Sequence, residues 1–315
     1  MASGTTDCAP VALIGYNRPD HFARTLESLA ACPEAPATPV RVFIDGPRTE
    51  SDRAKADRIR ATCARMQGRF LTFQTISRET NIGLARNVTE AVSQVCADFG
   101  RAIVLEDDIE VSPAFLRYMN DALDHYSDEK SVWHISAYTI VNDPARPDAF
   151  FFWRLMNCWG WATWQDRWQH FEKDAAGLLD TFSRRDIRRM NLDGAEDFWE
   201  QVKANHAGLI DTWAIFWYAT IFKNAGLCLT PVHCYARNIG FDGSGVHSWD
   251  DGGANAGQPL NATGILVPPE RIEEDAAEFG RIRDFYLAKR PPLLKRMRRR
   301  VKRSIKNLIR KAVRK

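Results

Sequence analysis

Over its first 140 residues the chain alternates two kinds of segment, and this alternation restricts the fold more than any other feature. Residues 11–15 (VALIG), 40–44 (VRVFI), 70–76 (FLTFQTI), 102–105 (AIVL) and 131–136 (SVWHIS) are short, rich in β-branched or aromatic side chains, and flanked by turn or polar residues. They read as strands. Between them, residues 20–31, 51–66, 84–97 and 113–126 repeat apolar side chains near the helical period, as in Phe22, Leu26 and Leu29. Strand–helix alternation implies right-handed crossovers and a mainly parallel sheet with helices on its faces. Such sheets take ligands beyond the carboxyl ends of their strands, so chemistry is sought there. Residues 141–250 differ: they hold nine of the ten tryptophans and weaker strand signals.

The net charge of +3 hides an asymmetry. Residues 289–315 hold 14 Lys and Arg and no acid, so residues 1–288 carry 29 basic against 40 acidic groups, a balance of −11. In the tail, Leu294, Met297, Val301, Ile305, Leu308 and Ala312 step by three or four between the basic residues, the pattern of a basic amphipathic helix. Residues 293–314 are expected to lie on an anionic membrane surface, each Lys or Arg adding roughly 1 kcal/mol. Nucleic acid is the competing polyanion. The tail offers no aromatic side chain for base stacking, and a polyanion binder needs no apolar stripe, so no nucleic-acid partner is expected; a solvated tail stays open. The longest apolar stretch, residues 213–222, is about half of the ~20 residues a spanning helix needs. The first ten residues lack the basic start and apolar core of a secretory signal. Seven cysteines without a CxxC pair suit buried thiols in a reducing compartment, with no disulfide framework and no zinc site. The expectation is a cytoplasmic protein, peripheral on the inner membrane face.

The strongest chemical signal is RAIVLEDDIEVSP at residues 101–113. An apolar strand runs straight into Glu106, Asp107 and Asp108, and like charges drawn from water repel unless something positive joins them. A hard Mn²⁺ or Mg²⁺, which takes one or two carboxylates together with phosphate oxygens, is the simplest solution. A solvated loop capping the next helix is the alternative. Other strand ends add to this. Asn17, Arg18 and Pro19 stand where the first strand meets its helix, and both Arg18 and the helix N-terminus favour a phosphate. Asp45 ends the second strand, where sheets of this kind often hold a ribose, although Asp45-Gly46 also reads as a turn. Asn81–Asn87 open the next helix, with Arg86 either facing the same pocket or lying at a plain helix start. Neither a GxGxxG nor a P-loop is present.

These strand ends, in this order, resemble the GT-A glycosyltransferases, which hold a nucleotide-sugar donor and a divalent metal on an acidic motif. The chain is most similar to the α-mannoside β-1,2-N-acetylglucosaminyltransferase group and its bacterial relatives. Besides Glu106-Asp107-Asp108 with Pro113 and Phe115, the likeness takes in Tyr16–Pro19, the Cys158–Trp164 segment and the loop Arg237–His247, so that it covers roughly residues 9–250. It implies an α/β fold of the GT-A (Rossmann-like) type, a mainly parallel sheet flanked by helices. Residues 1–140 would be the nucleotide-sugar-binding half, 141–288 the aromatic-rich acceptor and catalytic half with a lid loop, and 289–315 the basic amphipathic tail.

Carried over residue by residue, the resemblance makes Asp108 the metal ligand. Glu106 and Asp107 would contact the donor sugar or ribose, Arg18 the diphosphate and Asp45 the uridine. The donor implied is a UDP-sugar, with N-acetylglucosamine the sugar the likeness favours, and the acceptor a glycan or lipid-linked glycan. The family's base lies in a Trp-Asp-Asp-Trp segment, matched by Asp211 and Trp213, with Ile210 and Thr212 departing from it. An inverting transfer needs one such base to take the acceptor hydroxyl's proton, worth typically ~10²–10⁴-fold. Asp211 precedes an apolar aromatic run, where burial would raise its pKa; alternatively it caps the helix that follows. Asp166, Glu172 and Asp242 are reserves. Trp159 and Trp161 are candidates to stack on sugar at the mouth of the site, although Trp161, Trp164 and Trp168 also have helical spacing. His247, in a loop with Gly240, Gly243, Ser244 and Gly245, could reach the diphosphate, and that loop could close as a lid. A sugar nucleotidyltransferase is the alternative enzyme, lacking here its Gly-rich basic loop. A non-enzymatic membrane- or nucleic-acid-binding protein on a degenerate transferase domain is the third reading.

Overall fold

A computed structural model of the chain describes residues 8–243 and 256–290. In its first part β1 (Val11–Gly15), α1 (Pro19–Ala30), β2 (Pro39–Ile44), α2 (Glu50–Met66), β3 (Thr72–Ser77), α3 (Leu84–Phe99) and β4 (Arg101–Glu106) alternate as expected. There follow β5 (Ile109–Val111), α4 (Phe115–His125), β6 (Val132–Ser136), β7 (Phe150–Trp153), β8 (Trp161–Trp164) and α5 (Gln165–Trp168). Then come α6 (Ala175–Thr181), α7 (Arg184–Met190), α8 (Trp199–His206), α9 (Ala214–Lys223), β9 (Leu227–Pro231), β10 (Ala236–Asn238) and α10 (Ala276–Lys289).

Eight strands form one sheet in the order β3-β2-β1-β4-β8-β6-β9-β7. β3, β2, β1 and β4 are mutually parallel and β9 is parallel to β6; β8 and β7 run against their neighbours. Period-2 alternation divides the core between two faces. Val11, Leu13, Ile103 and Leu105 face α1, α2 and α4 through Phe22, Ile59 and Phe115. Ala12, Ile14, Ala102 and Val104 face the other layer, with Val88 and Val92 of α3 and Trp217 of α9. The helical spacing of the first tryptophans is not realised at Trp161–Trp164, which form an inner strand, buried at every position. Trp161, Trp168, Trp213 and Trp217 meet in the second layer instead, their ring centroids 4.9–6.3 Å apart along the contacts Trp161–Trp213, Trp161–Trp168, Trp161–Trp217 and Trp168–Trp217. Aromatic contacts of this kind add to the area they bury.

Two features position the site. β1 pairs with both β2 and β4, so Gly15, Asp45 and Glu106 stand at one edge of the sheet. β5 turns back directly after Asp108 and pairs antiparallel with β10, Asn238 opposite Ile109, which carries residues 239–242 over the end of β4.

Candidate functional site

Glu106 is the last residue of β4, and Asp107 and Asp108 form the turn into β5. All three side chains are partly buried. Burial and the two neighbouring aspartates push the Glu106 carboxyl up to about 8, opposed by a hydrogen bond from Trp213 and the charge of Arg18. Burial and Asp108 likewise raise Asp107, which accepts the Tyr16 amide at 3.3 Å. Asp108 accepts from Nη1 of Arg18 at 2.8 Å. The Arg18 Nη2 donates to the Gly240 carbonyl at 2.9 Å and to Asp242 at 3.4 Å. His21, one turn on from Arg18, reaches Asp242 at 3.1 Å. Gly240 lies close under these side chains: a Cβ would lie 2.3 Å from the Asp108 Oδ2 and 2.6 Å from the Arg18 Nη1, so a side chain there would have to displace them. Cys158 stands close enough for Glu106 and Asp108, with burial the larger cause, to push its thiol far up. Trp159 packs on Tyr138 and on Phe241, at 4.4 and 5.4 Å.

Arg18 and Glu106–Asp108, predicted separately, are therefore brought together with Asp242. Asp45 is near but differently employed. It is buried and accepts from the Gly46, Ile82 and Gly83 amides and the Asn81 side chain at 2.8–3.0 Å. Those four donors fill a carboxylate's acceptor capacity, so in this structure Asp45 ties the end of β2 to the start of α3. Gly46 permits this approach, since a Cβ there would meet the Thr80 carbonyl carbon at 2.2 Å. Arg86 lies on the exposed face of α3, paired with Glu90 one turn on at 2.6 Å, as the plain helix-start reading has it. Trp161 is wholly buried against Trp213 and His134 and offers no face to a sugar.

Asp211 is not buried as expected. Its side chain is 66% exposed and pairs with Lys173. Nor does it cap α9, whose N-cap is Trp213, without a side-chain hydrogen bond. It lines an open groove of about 470 Å³ with Lys173, Asn205, Leu209 and Phe216. It also stands beside the α3 N-terminus, 3.8 Å from where a Cβ on Gly83 would be. Trp213, two residues on, reaches Glu106, so this segment joins the groove to the acidic turn. Asp166 is paired with Lys130 and Arg167, and Glu172 with Lys223, in neither case with residues of the acidic turn. His247 lies outside the described residues, as do Ser244 and Gly245 of the expected lid and the whole of the tail helix.

The sequence reading missed Asp52. At the third position of α2 it completes a capping box with Thr49 and also accepts from Asn17 (2.7 Å) and the Tyr16 hydroxyl (3.0 Å). It thereby fixes the turn that presents Arg18. Thr49 followed three residues later by an acid was the available signal. His21 and Gly240 were legible only as a helix residue and a loop glycine.

Could this turn hold a divalent cation? Among the described residues no three His, Cys, Asp or Glu side chains form a ready metal cage. Yet Glu106, Asp107, Asp108 and Asp242 gather around the Arg18 guanidinium, which cannot balance them when all are ionised. That suits a hard cation completed by phosphate oxygens and water rather than by protein alone.

The GNT-I family model matches residues 2–193, more than half of the chain. No curated protein sequence matches it. Solved structures that overlap with it include S. aureus TarS 1-349 in complex with UDP, at 17% identity over 40% of this chain and 34% of that one, with a TM-score of 0.31. Others are mannosyltransferase PcManGT from Pyrobaculum calidifontis in complex with GDP-Man and Mn2+ (12%, 70% and 70%, 0.39) and GalNAc-T7 with UDP, GalNAc and Mn2+ (9%, 72% and 43%, 0.43). The chain thus spans between a third and 70% of the length of these structures.

Proposed function

We propose, from the premise that this chain belongs to the GNT-I family, that it is a glycosyltransferase moving a sugar from a nucleotide-sugar donor to a glycan or lipid-linked acceptor with inversion at the anomeric carbon. The single observation that carries the reading is the acidic turn at the end of β4, three carboxylates against one guanidinium, at the sheet edge where α/β proteins bind ligands. Asp108 would hold Mn²⁺ or Mg²⁺, and the bound ion would stabilise charge on the departing diphosphate. Glu106 and Asp107 face the donor sugar or ribose, and Arg18 the diphosphate. Asp211, exposed in the groove beside the start of α3, takes the acceptor hydroxyl's proton once Lys173 yields to the acceptor. Asp242 is the second acid close enough to the turn to do so. The donor is read as a UDP-sugar, and N-acetylglucosamine as its sugar, on the family likeness alone. Residues 293–314, outside the described residues, would hold the enzyme on an anionic inner-membrane surface.

A donor-hydrolysis screen across UDP-, GDP- and dTDP-sugars with Mn²⁺ or Mg²⁺, paired with calorimetry of UDP and Mn²⁺, tests the activity. Metal-dependent nucleotide binding and turnover of one donor are expected; neither would leave only a binding protein on this fold. With the donor known, D211N should lower kcat on the order of 10²–10³-fold while leaving donor affinity intact. Full activity in D211N with loss in D242N would move the base to residue 242.

A further inference from the structure

The cation already seated on the acidic turn is Arg18. Among the described residues its guanidinium joins different parts of the chain, donating to Asp108 at 2.8 Å and to the Gly240 carbonyl at 2.9 Å. The loop it holds is pressed onto the same carboxylate. The Ile239 amide donates to the Asp108 backbone carbonyl at 2.9 Å, and a Cβ on Gly240 would lie 2.3 Å from the Asp108 Oδ2, so the loop backbone rests against that carboxylate. Asp242, further along the loop, adds a third contact to Arg18 at 3.4 Å. One oxygen of the proposed metal ligand is therefore engaged by an internal positive charge and roofed by residues 239–242.

We infer that Arg18 is a resident counter-ion that latches loop 239–242 onto Asp108 and must release Asp108 when a divalent cation and a diphosphate enter. This rests on the reading of Asp108 as the metal ligand. A dication arriving alone meets the unit charge of Arg18 a few ångströms away and binds weakly. A diphosphate offers Arg18 a new anionic partner, which frees the carboxylate, the Gly240 carbonyl and with them the loop. Arg18 thus makes the two ligands enter together, and it is a positioning residue for the metal as well as a contact for the donor. Its removal should act on the two ligands with opposite sign, which a merely structural arginine would not do.

Mn²⁺ binding to the full chain, followed by electron paramagnetic resonance or calorimetry with and without UDP, tests this in wild type, R18M and R18K. Without nucleotide, R18M should bind Mn²⁺ on the order of tenfold or more tighter, since a nearby like charge is gone. With Mn²⁺ present, R18M should bind UDP at least about tenfold more weakly. R18K, which keeps the charge, should stay within about threefold of wild type for Mn²⁺ alone. Unchanged or weaker Mn²⁺ binding by folded R18M overturns the latch while leaving the metal reading intact. Tighter Mn²⁺ with unaltered UDP binding overturns the transfer of Arg18 to the diphosphate. If wild type binds no Mn²⁺ even with UDP, the metal reading falls and the latch with it. Should R18M fail to fold, R18Q, of similar length and uncharged, gives the same comparison.

Discussion

Carboxylates stand at the ends of β2 and β4, the two strands that flank β1, and the chain supplies them very differently. Asp45, after β2, receives three backbone amides and one side-chain amide. Asp52, at the start of α2 close by, receives Asn17, Thr49, Tyr16 and the Arg48 amide. After β4, Glu106 has an indole, Asp107 one long amide contact and Asp108 one guanidinium. Of the first pair, Asp52 is held as an ion by its donors and is pulled down to about 2. The second set repel one another, and Glu106 and Asp107 are pushed up. A carboxylate whose lone pairs are filled by its own chain is architecture; one left short of donors awaits a ligand.

The sharpest way to break this contrast is to neutralise one acid of each set. D108N should lower transfer on the order of 10³-fold, the scale of losing one preorganised electrostatic contact. It should leave the melting temperature unchanged or higher, because it relieves Glu106 and Asp107 of a neighbouring charge. An assay with the donor found by the screen and a thermal melt read both. A fall in stability with activity preserved would place Asp108 among the architectural acids. D45N should do the reverse. It leaves a buried amide at Ile82 or Gly83 short of its acceptor, at a cost of about 1–3 kcal/mol. Chemical denaturation should show this directly. Donor affinity should weaken only as far as the start of α3 loosens, and loss of UDP binding without loss of stability would restore Asp45 as a uridine contact.

The same contrast marks what could be read before the fold was known. Strand ends, and therefore the edge where acids gather, follow from local patterns of period 2 and 3.6. Those patterns put Arg18, Asp45 and Glu106–Asp108 at that edge, where the structure also has them. They do not say what each side chain meets. That Asp45 is saturated depends on the approach of residues 81–83, more than thirty positions away. For Arg86 a local signal favoured the plain helix-start reading, Glu90 one helical turn ahead. Trp161 was offered as a sugar-stacking residue from its place in an aromatic cluster, and the competing expectation that the cluster is core holds for it, since β8 is buried between β4 and β6 and turns Trp161 inward. Asp211 was expected to be buried by the apolar run that follows it, yet the chain turns outward before α9 begins, and Lys173, from a distant segment, became its partner.

A smaller effect separates the two sets by pH. The hydrogen bond from Asn17 is the largest cause of the low Asp52 value, with Thr49, the Tyr16 hydroxyl and the Arg48 amide adding to it and burial opposing it. Because the folded value of about 2 lies below the ordinary 3.8, the unfolded chain takes up this proton first as pH falls. The stabilisation is fully present above about pH 5 and is lost progressively towards pH 2, a contribution on the order of 1 kcal/mol once solvent screening is allowed for. D52N lacks that titration. Denaturant unfolding measured between pH 2 and 5 should show wild type and D52N farthest apart at the upper end and converging as the acid protonates. Curves that stay parallel would mean these donors hold Asp52 no more firmly than water does, and the distinction between saturated and unsaturated acids would lose its clearest structural example.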